Sequence, residues 1–179
     1  MHYSIKEQSK RIGSDLFLNS FIDIPRFQAL CKECPNYGKA WCCPPFEFDI
    51  LSKLSAYSSV LIKCVQIEFD GERSYSEMLA LMRQQKELLE AELSELERQN
   101  VGSEALFAGK CTLCENCSRL DGTECRHPDQ RRMSIEALGG DVTGLLRELF
   151  SIELEWKTEQ KLPNQLVLVG GVLLRGARN

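Results

Sequence analysis

Histidine is scarce in this chain. Its 179 residues include two, His2 and His127, which leaves little room for a Ser-His-Asp set, and no G-x-S-x-G elbow accompanies them. No G-x-G-x-x-G or Walker loop occurs; Gly170 and Gly171 lie inside a strand-like run that opens no helix. The C-x3-C-x2-C spacing of radical-SAM proteins is absent as well. No Asp or Glu pair sits where burial would split its pKa values. Catalysis beyond cluster redox chemistry therefore has no residue-level support. Long apolar runs are also missing: none approaches the ~18 residues that cross a bilayer. The first ten residues, MHYSIKEQSK, are polar and lack a signal-peptide apolar stretch. Basic charge is in deficit, with 22 Lys+Arg against 26 Asp+Glu and a net charge of −4. That excludes a generally basic nucleic-acid binder and leaves only a local group at Arg126, Arg131 and Arg132. The expectation is a cytoplasmic protein with neither membrane nor nucleic acid as partner.

Cysteine is abundant. There are nine, and in a reducing compartment grouped cysteines more often bind metal or do redox chemistry than form structural disulfides. Hydrophobic residues make up 43% of the chain, enough for a globular core. The length suits one domain over 1–179.

Apolar periodicity places the elements. Phe21–Ile24, closed by Pro25, reads as a short strand. Phe46, Ile50, Leu54 and Tyr57 share one helical face. Ser59–Phe69 is β-branched and apolar, a central strand ended by Asp70-Gly71. Ser74 to about Gln99 is a long helix: Ser74 and Glu77 fit a capping box, and Met78, Met82, Leu89, Leu93 and Leu96 form its stripe. That stripe suits packing across a sheet better than a coiled coil. Ala105–Ala108 is a short strand, Val142–Phe150 a helix, and Ile152–Trp156 and Leu166–Leu174 two strands around the Lys161–Asn164 turn. The predicted fold is α+β: a small mixed sheet with helices on one face, leaning toward a ferredoxin-like topology, with Cys-rich loops at 31–45 and 111–128.

Cys111, Cys114 and Cys117 follow a C-x2-C-x2-C rhythm, and Cys125 comes after seven further residues. Two intervening residues let a tight loop aim successive thiolates at one centre. Zinc sites typically use separated C-x2-C pairs, whereas an unbroken C-x2-C-x2-C run is characteristic of iron–sulfur ligation. The first group is looser: Cys31 and Cys34 make one pair, and Cys43 precedes Pro44-Pro45. Its fourth donor is open between Cys42, Cys64 and none. Adjacent Cys42 and Cys43 tend to diverge, and Cys64, mid-strand, suits a small buried hydrophobe. Trp41, Tyr37 and Phe46 flank the first group, and Leu113 and Leu120 the second, either as shielding for a cluster or as ordinary core. His127 has three readings: metal ligand, donor to a cluster sulfide, or plain loop residue. Arg126, Arg131 and Arg132 would stabilise an anionic cluster, or merely border a solvated turn. Ser134 suits the cap of a short helix, with Glu136 and Glu148 as ordinary surface charges.

These residues resemble the DUF2284 family of predicted metal-binding proteins. The resemblance is carried by C-x2-C-x2-Y (Cys31, Cys34, Tyr37), Cys43-Pro44-Pro45, the stretch from Cys111 to Cys125-Arg126-His127-Pro128, and Arg132-x-Ser134-x-Glu136-Ala137-x-Gly139-x-Asp141-Val142. It implies metal binding through these cysteines. One departure is Gly140, where the family pattern reads Ile, with consequences for loop packing more than for ligation.

The sequence thus points to a [4Fe-4S] protein with one cluster, or two, that exchanges electrons with a redox partner protein. Cys111, Cys114, Cys117 and Cys125 are the cofactor ligands, and Cys31, Cys34 and Cys43 further metal ligands. The competing expectation is a zinc-stapled structural or interaction module. A thiol sensor using Cys42/Cys43 or Cys31/Cys34, and a cluster with an open iron, are weaker readings.

Overall fold

The computed structural model describes residues 2–159 and 161–176. Its strands are β1 (His2–Gly13), β2 (Ser59–Asp70), β3 (Glu104–Leu106) and β4 (Gln165–Leu174). The helices are α1 (Ser14–Phe21), α2 (Ile24–Lys32), α3 (Ile50–Ser55), α4 (Tyr75–Gln99) and α5 (Val142–Leu145), the last running on through a wider turn at Leu146–Phe150.

β2 is the apolar run read as a central strand, and it is central. The sheet order is β1-β2-β4-β3. Successive side chains of a strand alternate faces, so Val60, Ile62 and Cys64 join one core cluster while Val65, Ile67 and Phe69 join another. α4 covers the second face with Met78, Leu81, Leu89 and Leu93. It comes so close at Gly170 that a Cβ there would stand 2.5 Å from Leu93 Cδ1. The first face is covered by α1, α3 and the segment 133–152.

The α+β class is as expected, with two differences of detail. Every neighbouring strand pair is antiparallel rather than mixed, and helices cover both faces rather than one. β2 and β3 run parallel to each other, with α4 joining them and β4 between. This is one split β-α-β unit, and the ferredoxin-like likeness stops there because β1 lies directly beside β2.

Three local expectations change. Phe21–Ile24 is not a strand: Asp23 caps α2 by accepting from the Arg26 amide at 3.1 Å, Pro25 fits the first turn of that helix, and only Ile22 bridges, to Gly140. The helix from Phe46 shortens to α3, since Phe46 and Phe48 stack at 4.8 Å and Asp49 is the cap, 2.7 Å from the Ser52 amide. Ile152–Trp156 forms no strand because β4 is already paired on both sides. β1 went unread because its side chains are almost all exposed. An edge strand held by backbone bonds needs no apolar alternation, and its charges guard the open edge.

Candidate metal centre

α4 holds both ends of the second cysteine loop. From the middle of α4, the Lys86 ammonium donates to the carbonyl oxygens of Ala108 and Lys110, just ahead of Cys111. At its end, Glu97 pairs with Arg132, Nη2 to Oε2 at 2.6 Å. Within the loop, the Ser118 hydroxyl donates to the Glu124 carbonyl at 2.7 Å. The Thr123 amide donates to the Ser118 carbonyl at 3.1 Å. These bonds fold the seven residues between Cys117 and Cys125 back on themselves, so the longer spacing still returns Cys125 to the first three cysteines.

The first loop is tied to the second by two side chains. Arg119 donates to the carbonyls of Ala40 at 2.9 Å, Cys43 at 2.6 Å and Pro45 at 2.6 Å, and its guanidinium lies 5.0 Å over the Trp41 ring. The Trp41 indole donates to the Thr123 carbonyl at 3.0 Å. Trp41 is therefore a clasp between loops. Arg119 was not singled out in the sequence, because nothing local marks an arginine whose acceptors lie some eighty residues away.

The result is a small pocket lined by Cys42, Cys111, Cys114, Cys117, Cys125, Trp41, Leu113, Arg126, His127 and Arg131 among others. All four cysteines read as cofactor ligands reach it, and Cys42 makes a fifth. Cys42 is buried, and its sulfur accepts the Cys111 amide at 3.2 Å. Cys43 does not line the cavity, though the two sulfurs are 3.7 Å apart. The neighbours do not diverge as expected: Cys42 lines the cavity of the second loop, and its sulfur still touches that of Cys43. Either sulfur can donate to the other. The Cys43 hydrogen bond, helped by the Cys111 amide and the Arg131 charge, holds the Cys42 thiol well below its usual range. The same bond, burial and the neighbouring thiols push Cys43 up. Burial raises Cys111 as well, with Cys42, Cys125 and Cys114 adding to it.

Arg126 and Arg131 border the cavity as expected, but Arg132 turns away to Glu97. His127 lines the cavity. Cys64 is fully buried in the first-face core, where burial pushes its thiol up to about 12. Ser134 accepts the Ala137 amide at 3.2 Å, the cap expected of it. Among the described residues, no three His, Cys, Asp or Glu side chains converge tightly enough to hold a single metal ion. Zinc at ~2.3 Å from each of four sulfurs needs them only ~3.8 Å apart. The thiols instead surround a space. Soft sulfur donors beside an arginine charge suit a metal.

An antiparallel α+β fold with a thiol-walled cavity between two clasped loops defines a metal-binding class by its donors. The family model DUF2284, described as a predicted metal-binding protein, matches residues 20–174, and the chain belongs to that family. Comparison with curated proteins and with solved structures returned no match. No helix among the described residues is long and apolar enough to cross a membrane.

Proposed function

We propose that the protein binds a [4Fe-4S] cluster through Cys111, Cys114, Cys117 and Cys125, and exchanges electrons with a partner protein. The observation that carries this reading is the single cavity lined by all four, with their C-x2-C-x2-C rhythm behind it. When bound, the cluster supplies one-electron redox chemistry. The chain's residues do the rest: thiolates hold it, Arg131 offsets anionic charge, and Trp41 and Leu113 limit water, all of which tune a potential. Leu113 in the wall and Leu120 in the next turn are exposed, so a docked partner would come close to the centre. Cys31, Cys34 and Cys43 make a second centre in this reading.

Anaerobic purification followed by iron and sulfide analysis tests the proposal. Brown protein with four iron and four sulfide per occupied site, reducible by one electron, is the expected result. Colourless protein with stoichiometric zinc and no reduction wave would establish the structural-module alternative instead.

A further inference from the structure

β1 leaves one edge of the sheet open. It is paired with β2 over all of His2–Gly13, without a bulge, and it ends the order β1-β2-β4-β3. It contains no proline. Almost all of its side chains are exposed, so one ladder of backbone bonds holds it. Its outer row of N–H and C=O groups pairs with no strand among the described residues. A long straight edge of this kind is a template for another strand.

The residues of β1 say which strand fits. Two copies joined edge to edge in one antiparallel sheet are related by a twofold axis normal to it, and residues directly opposite share a face. Each such register sets one residue opposite its own copy. Centring on Lys6, Glu7 or Lys10 sets that charge against itself, and centring on Gln8 sets Lys6 against Lys10. Centring on Ile5 pairs only residues 2–8 and brings no opposite charges together. Centring on Ser9 pairs residues 5–13 and sets Glu7 against Arg11 twice. Opposite charges placed this way stabilise an antiparallel pair, and like charges oppose it.

The structure leaves those two side chains ready. Glu7 and Arg11 stand opposite Val65 and Leu61 of β2, so both lie on the second face of the sheet. On that face α4 packs over β4 and β3, and β1 is left exposed. The Arg11 Nε donates to the Ser59 hydroxyl at 3.0 Å, which anchors the guanidinium on this face. Among the described residues Glu7 has no ion-pair partner. The Ser9-centred register also brings Ile5 opposite Gly13, where an added Cβ would meet nothing within 4 Å.

We propose that β1 is the interface of a homodimer, in which two copies pair edge to edge about Ser9 and Glu7 of each meets Arg11 of the other. The two sheets become one. The charges that guard the edge against other pairings select this one. The assignment is independent of the metal-binding reading.

Sedimentation equilibrium of the full chain tests it, under reductant so that no intermolecular disulfide forms. The unchanged protein is expected to show a monomer–dimer equilibrium. Glu7→Arg and Arg11→Glu each set like charges opposite one another and are each expected to raise the dissociation constant about tenfold or more. Their equimolar mixture should dimerise again, because each variant supplies the charge the other lacks. A misfolded chain would not be rescued in this way, so the mixture separates a lost interface from a lost fold. Lys10→Glu makes the same charge change on the other face and should leave the dimer intact. A monomer at every concentration would overturn the proposal. So would a dimer indifferent to both reversals, one lost equally in Lys10→Glu, or single variants that fail to combine.

Discussion

Nine cysteines in one chain take three different environments, and each makes its own prediction at the residue scale. Cys64 is a buried thiol whose pKa is lifted from about 9 to about 12 by desolvation. It should resist alkylation at neutral pH in the folded protein and react only on unfolding. The stability linked to it is intact below pH 9. It falls as pH rises toward 12, because the unfolded chain ionises first, with a slope approaching ~1.4 kcal/mol per pH unit. Comparing alkaline denaturation of the unchanged protein and Cys64→Ala checks this: the slope should shrink in the variant. Cys125 and Cys42 both reach the cavity, but Cys125 belongs to the loop folded back by Ser118 and Thr123. Cys125→Ser should abolish the bound cluster, and Cys42→Ser should keep it with a shifted potential. Voltammetry and iron analysis separate the two outcomes. Gly140 is tightly packed: a Cβ there would lie 2.3 Å from Ile135 Cγ2 and 2.8 Å from the Ile135 carbonyl oxygen. Gly140→Ile should lower stability by on the order of 3 kcal/mol in a chemical-denaturation measurement. The ligands of the second group were legible because spacing within a loop is a local property. Cys42, weighed in sequence as a donor for the first group, lines the second group's pocket instead, since its place depends on how the two loops meet.

At the scale of elements, the strongly periodic segments were read correctly and the tertiary ones were not. β2 carries its burial in its composition, and α4 begins at the Ser74/Glu77 capping box the sequence displays. β1 is polar on both faces, so its pairing with β2 left no pattern to find. The Ile152–Trp156 run has strand-like residues but no free edge beside β4. The two cysteine loops depend on a clasp equally invisible in sequence. Arg119 makes three bonds to carbonyls of the first loop and stacks on Trp41, whose indole reaches the second. Arg119→Ala should therefore cost about 2 kcal/mol and speed metal loss. Arg119→Lys should rescue little, because a single ammonium cannot span Ala40, Cys43 and Pro45. Thermal unfolding with and without chelator would measure both effects.

Across the whole molecule, the hydrophobic layers and the cysteine loops are separable. Both core clusters are built from sheet and helices, the first with the 133–152 segment as well, and α4 anchors the second loop at its ends. Metal removal should leave the far-ultraviolet circular dichroism nearly unchanged while opening residues 31–45 and 109–131 to protease. A collapse of the entire fold on chelation, as in zinc fingers, would show instead that the loops support the core. The most direct measurement is the iron and acid-labile sulfide content of anaerobically purified protein, beside that of Cys111→Ser. Iron and sulfide in equal amounts, reduced by half or more in the variant, is the predicted result. Zinc in place of iron, or iron indifferent to Cys111, would contradict a cluster held in the thiol-lined cavity.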